Sequence, residues 1–414
     1  MSPCSPGSSG AARPGAYRRM VAIIAAGVAL LLPTAGAPAT ARAAEPAKGL
    51  SAAASPGAGD AGAQILETSV LAAPRPVPAS DDRTHLVYEV QLRNVSAGPV
   101  NLDRVEVQEP DGTGPVAVYD SRAIERVMLD PKARTFSRTL APGKSASLLL
   151  DVTVAAGARV PARLVHRFDV SGAADRTLRG AATKVDRRAP LNLSPPLRGD
   201  GFAVYGCCRP PFVHRLAVMD LNGGTFAAQR YAIDFVQTTD GVHSYAGDQA
   251  RNESYFIFGE GVRAVADGKV LAVRDGVAAN TPQKLPANRA PENLTGNFVI
   301  QDLGGGAYAL YAHMQKDSLR VRPGDRLTRG QELGLAGNSG NSTEAHLHFH
   351  VVDSPGVPLG VAGDSVPYTF DRFRIRNRIT GLDSEPEAPV RADAPPAPDR
   401  TGRYPLTGDV VDFP

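Results

Sequence analysis

Residues 344–350 read Glu344-Ala345-His346-Leu347-His348-Phe349-His350. On an extended strand alternate residues share a face, so His346, His348 and His350 point one way while Leu347 and Phe349 point the other. Neighbours on one face lie roughly 7 Å apart, close enough for one imidazole to hold a metal ion and the next to touch water bound to it. Two other segments carry matching donors. Gln229-Arg230-Tyr231-Ala232-Ile233-Asp234-Phe235 reads as an apolar strand with one inward-capable carboxylate, Asp234, and Tyr311-Ala312-His313 ends a strand beginning near Ala307. Imidazole and carboxylate donors suit zinc, and a catalytic zinc site keeps one position open for water.

The elements that must position these residues read as all-β. The 414 residues include 42 Gly and 35 Pro but no Trp, which favours turn-rich sheets over helix bundles. Forty-three per cent hydrophobic residues allow a packed core, and a net charge of +3 gives no argument for nucleic acid as a partner. Residues 1–44 read as a secretory signal peptide: Arg18-Arg19, an apolar run from Met20 to Leu32, and an A-x-A exit at Ala41-Arg42-Ala43. The expected product is secreted into the cell envelope, with no stable membrane span after cleavage. Cleavage removes Cys4 and leaves Cys207-Cys208, for which a vicinal disulfide is the simpler expectation and metal ligation the sharper one. Residues 45–62, rich in Ala, Gly, Ser and Pro, read as a flexible linker.

Residues 63–185 alternate with period two. Leu86, Tyr88, Val90 and Leu92 form one stripe, Leu148, Leu150, Val152 and Val154 a second, and Leu164, His166, Phe168 and Val170 a third. The pattern predicts an antiparallel, immunoglobulin-like β-sandwich with His166 in its core and no chemistry of its own. Arg187 to Pro196 read as a hinge into a second domain, 200–375, where the strands become Gly-punctuated. Residues 383–414 are expected to be a disordered Pro/Ala-rich tail.

Across roughly residues 225–355 the motifs occur in a telling order. Gly261-Val262-Arg263-Ala264-Val265-Ala266-Asp267-Gly268-Lys269-Val270 reads as strand, tight turn, strand. Tyr311-Ala312-His313-Met314 follows, then Val321-Arg322-Pro323-Gly324-Asp325-Arg326-Leu327, Gly330-Gln331-Glu332-Leu333-Gly334 and Gly337-Asn338-Ser339-Gly340, running into His346-Leu347-His348-Phe349. In this order the set resembles the zinc metallopeptidases of the lysostaphin and LytM type, peptidase family M23. The resemblance implies an M23-type β-sheet peptidase domain following the sandwich, with Zn2+ held by the His and Asp of H-x-x-x-D and by the second His of H-x-H. By position, Asp234 and His348 match ligands, while His313 and His346 match the catalytic residues that activate water and stabilise the charged intermediate. It further implies a metalloendopeptidase acting on peptidoglycan or its peptide stems.

One position departs from the family. Arg230 stands four residues before Asp234 where a ligating His belongs, and a guanidinium offers no lone pair. Two readings follow: another residue completes the site, or the domain is a degenerate cell-wall binding or regulatory module. His214 is the preferred substitute. Asn222-Gly223 signals a hairpin that would pair the 212–218 run with the Asp234 strand and set His214 on the face of Arg230 and Asp234. His350, where the family usually has an acidic residue, reads as a partly exposed edge imidazole.

Overall fold

The computed structural model describes residues 64–414, apart from 209–212, 222, 240, 357–362, 381, 383–390 and 394–398. The expected signal peptide and the linker lie outside the described residues.

The three N-terminal stripes fold as the period-two pattern requires. Strands Leu66–Val70, Thr84–Asn94, Ser145–Val154, Met128–Asp130 and Thr135–Phe136 follow one another in one antiparallel sheet, with Pro76–Pro78 pairing onto Thr84–Asn94. A second sheet runs Arg176–Lys184, Arg163–Gly172, Val100–Gln108, Pro115–Asp120, with Thr139–Leu140 on its side. Leu86, Tyr88 and Val90 from the first sheet share one buried cluster with Leu102, Val105 and Phe168 from the second. His166 is fully buried between the Tyr88 hydroxyl at 2.7 Å and the Ala181 carbonyl at 3.0 Å, the core histidine expected.

The rest of the described chain is organised by one eleven-stranded sheet. Its centre places Ala307–Met314 beside Leu347–Val352, then Ile233–Gln237, Gly199–Tyr205, Asp409–Phe413 and Phe373–Thr380. Period-two alternation separates two functions on the middle strands. Ile233, Phe235, Tyr311, Leu347 and Phe349 enter the main hydrophobic core, while Asp234, His348 and His350 face the opposite side.

Two expectations need correction and a third needs refining. The tail is not disordered throughout: Asp409–Phe413 forms a buried strand inside the large sheet, because Val410, Val411 and Phe413 bury their apolar side chains there. A Pro/Ala-rich composition hid this short apolar stretch. The 261–270 segment is strand, turn, strand, but its two strands do not pair across the turn; Gly261–Arg263 pairs with Glu332–Leu335, whereas Gly268–Arg274 joins the large sheet. The Asp234 strand starts only at Ile233, and Arg230 lies in the turn before it, its amide donating to the Ala227 carbonyl at 3.1 Å.

Candidate metal centre

Cross-strand register sets the centre of the site. Asp234 pairs directly with His348, and Ala312, on the strand beyond, pairs with His348 from the other side. Asp234 Oδ1 lies 2.7 Å from His348 Nδ1. His214 arrives from a different direction. It sits on a short 3-10 turn, Val213–Leu216, and its Nε2 lies 3.1 Å from Asp234 Oδ2. His214 lies beside Asp234, but not by the route expected. The hairpin near Gly223 pairs only Met219–Leu221 with Gly224–Phe226 and never reaches residue 214.

His214, Asp234 and His348 are all buried, and their donor atoms lie within 4.8 Å of one another. Ligands of a tetrahedral zinc with bonds of about 2.0–2.1 Å stand roughly 3.3 Å apart, so separations of 2.7 and 3.1 Å need to open by only a few tenths of an ångström. The donor set, two imidazoles and a carboxylate, fits zinc. Burial opposes ionisation of Asp234, but the neighbouring His214 and His346, with hydrogen bonds from His214 and His348, hold the carboxyl well below its usual range. Burial pulls the His348 imidazole down, against the pull of Asp234.

Two further histidines flank this trio. His346 Nδ1 lies 2.9 Å from the Glu344 carbonyl, which can only accept, so Nδ1 carries a proton, and Nε2 lies 3.6 Å from Asp234 Oδ1. His313 does the same with the Ser339 carbonyl at 2.8 Å. Its ring centroid lies 4.6 Å from that of His346 and 5.7 Å from that of His348. Burial, then the adjacent His346 and His348, keep His313 well below the ordinary imidazole value and hence neutral. The chain turns at His313 through a left-handed φ of 63°, a conformation that costs about 1–3 kcal/mol and is met where a site over-determines it. The Ser339 carbonyl is placed by close backbone packing. A Cβ on Gly340 would collide with the Gly296 backbone, so that loop can lie flat only with glycine at this crossing.

The residues named from sequence converge: Asp234, His348, His346, His313 and His214 all meet here. Arg230 does not. Its guanidinium lies between Glu89, with Nε 2.9 Å from Oε2, and Asp364, with Nη2 3.0 Å from Oδ1. His350 is fully buried rather than an exposed edge residue, and its Nδ1 lies 2.8 Å from His348 Nε2. Alternation alone carried that signal, since His350 shares the face of His348. Glu344 was also missed; burial pushes its carboxyl up to about 8.

Cys207 and Cys208 form a vicinal disulfide. Cys208 approaches His85 and Asp151 closely enough to make a second donor trio, but its sulfur is already committed to that bond.

The family model of peptidase family M23 matches residues 256–359. The chain carries an M23 peptidase domain. The matched span of this M23 domain includes His313, His346 and His348 and begins after His214 and Asp234. A 72-residue stretch is 33% identical to the peptidoglycan DD-endopeptidase ShyA of Vibrio cholerae serotype O1, covering 17% of this chain and 16% of that protein. A 62-residue stretch is 37% identical to Endolysin 2638A of Staphylococcus phage 2638A, covering 14% and 13% respectively. The chain thus spans less than a fifth of either curated relative. Among solved structures, the catalytic domain of lysostaphin from Staphylococcus simulans is similar at 23% identity, over 32% of this chain and 71% of that one, with a TM-score of 0.19.

Proposed function

We propose that this chain is a secreted zinc metalloendopeptidase that hydrolyses peptide bonds in peptidoglycan, with His214, Asp234 and His348 as the metal ligands. The observation that carries the reading is the convergence of three buried donors within 4.8 Å, in a chain whose usual first ligand position holds Arg230. The M23 match and two cell-wall-directed relatives support the substrate class. The Arg18–Ala44 leader pattern and the Cys207–Cys208 disulfide support export. Among the described residues no helix is long and apolar enough to cross a membrane.

Zinc, when bound, supplies a Lewis acid and a water acidic enough to ionise near neutrality. The protein's own residues do the rest. His346, with Nδ1–H fixed on the Glu344 carbonyl, presents Nε2 as the general base that takes a proton from water and later returns it to the leaving amine. His313, with Nδ1–H held by the Ser339 carbonyl and the ring kept neutral, presents an Nε2 lone pair as a second acceptor that orients the attacking water. Arg230, the feature that favoured a binding-only domain, is engaged by Glu89 and Asp364 and so does not compete for the centre.

The test is metal content and cleavage together. Purified protein should carry one zinc and cleave peptidoglycan in a chelator-sensitive way. His346→Ala and His313→Ala should retain the zinc and lose on the order of 10²–10⁴ in kcat. Protein that binds cell wall but holds no metal and cleaves nothing would refute the reading.

A further inference from the structure

We propose that Glu89, on the N-terminal strand Thr84–Asn94, is the positioning residue of the metal centre and that the sandwich is therefore part of the metal-binding apparatus. This rests on the reading of His214, Asp234 and His348 as ligands.

Glu89 is 1% exposed and forms ion pairs with two arginines from two different ligand-bearing segments. Its Oε1 lies 2.9 Å from Nη1 of Arg215, the residue next to His214. Its Oε2 lies 2.9 Å from Nε and 2.5 Å from Nη2 of Arg230, four residues before Asp234. One carboxylate thus ties the turn carrying one ligand to the entry of the strand carrying another.

His214 needs such a tie more than the other ligands do. Asp234 and His348 are fixed by paired strands. Val213–Leu216 is a short 3-10 turn, too brief to fix itself as a paired strand does, with the Ala217 amide donating to the His214 carbonyl at 3.1 Å at its end. A ligating imidazole is usually oriented by a hydrogen bond from its second nitrogen. Among the described residues His214 Nδ1 is buried without a hydrogen-bond partner. The ring's position therefore derives from the turn's backbone, and the sandwich holds that backbone. Arg215 also reaches the Tyr88 and Leu150 carbonyls, at 3.4 and 3.2 Å, and Arg134 donates to the Leu216 carbonyl. Leu216 packs against the buried Leu129 and Leu149 of the sandwich.

The full-length protein, stripped of metal, is titrated with Zn2+ against a chromophoric chelator and with Co2+ by visible absorption. Arg215→Met removes the tie to the turn while leaving Glu89 paired with Arg230; its metal dissociation constant should rise by about tenfold or more, with a changed cobalt spectrum and an intact metal-free fold. Glu89→Asp keeps the charge but withdraws the carboxylate by one methylene and should cost about threefold or more. Arg215→Lys should recover most of the lost affinity. If Arg215→Met fails to fold, Glu89→Asp decides the matter alone. Folded variants that bind both metals as wild type does would overturn the proposal and leave the metal reading standing. A wild-type protein that binds neither metal would overturn both.

Discussion

Glu89 and Asp234 are both buried carboxylates ringed by nitrogen bases, yet they are equipped for opposite tasks. Burial pushes both carboxyls up, and in both cases the neighbours prevail: Arg230 and Arg215 around Glu89, His214 and His346 around Asp234. The difference lies in those neighbours. A guanidinium is permanently charged and has no lone pair, so the Glu89 cluster is closed once its ion pairs form. An imidazole can be neutral and keep a lone pair, so the Asp234 cluster remains able to accept a cation. Arg230 belongs to the first kind of cluster, whereas His214 lies in the second, with Nε2 3.1 Å from Asp234 Oδ2.

The sharpest way to break this comparison is to remove each carboxylate in turn. Glu89→Leu leaves two buried guanidinia with one carboxylate between them, Asp364 on Arg230, and should destabilise the protein by about 3–5 kcal/mol in denaturant unfolding. Asp234→Ala strands no permanent charge. The metal-free protein should lose only about 1–2 kcal/mol, while bound zinc should fall from one per chain to near zero. Equal loss of stability in the two metal-free variants would erase the distinction between clamp and metal centre.

Much of this was legible in the sequence, for reasons that particular residues make plain. His346, His348 and His350 were placed on one face because strand alternation is local and has a fixed period. Motif order named Asp234, His348 and His313 as members of one site, but their cross-strand register became visible only in the structure. His214 was found by donor chemistry, but its route was not, because a 3-10 turn held by another part of the chain leaves no periodic trace around residue 214. The pairing of Glu89 with Arg215 and Arg230 joins residues 126 and 141 positions apart in the numbering; nothing in an alternating strand distinguishes a carboxylate bound for such a seam from one facing water. The strand Asp409–Phe413 was masked by the composition around it.

His85 offers an intermediate case that sharpens the contrast. It is an imidazole held between carboxylates, with Nδ1 2.9 Å from Asp151 and Nε2 3.3 Å from Asp81. Burial pulls its pKa down, but hydrogen bonds and charge from Asp151 and Asp81 raise it from 6.5 to about 9. Here a histidine is used as a cation, like Arg230. Because the folded value lies above the ordinary one, its contribution is complete below pH 6.5 and is lost as pH rises through about 9. Unfolding at pH 6 and pH 10 should differ by about 2–3 kcal/mol through this group, and His85→Gln should flatten that part of the profile. A profile unchanged by His85→Gln would show that the charged imidazole contributes nothing.

The smallest expected effect concerns His350, and it tests whether the Asp234 cluster is tuned as well as assembled. His348 turns Nδ1 to Asp234 and Nε2 to His350, so its second nitrogen is held by another imidazole rather than by a carboxylate. A partner on the second nitrogen fixes the tautomer and orientation of a ligating histidine, and its loss commonly costs 10–100-fold in metal affinity. A neutral imidazole accepts less strongly than a carboxylate, which sets the expectation for His350→Ala at the low end, about tenfold. His350→Glu should restore affinity or exceed wild type, since a carboxylate makes the stronger, charge-assisted hydrogen bond. If His350→Ala binds zinc as wild type does, the His348 ring is oriented by its strand alone, and the Asp234 cluster is assembled without being tuned by His350.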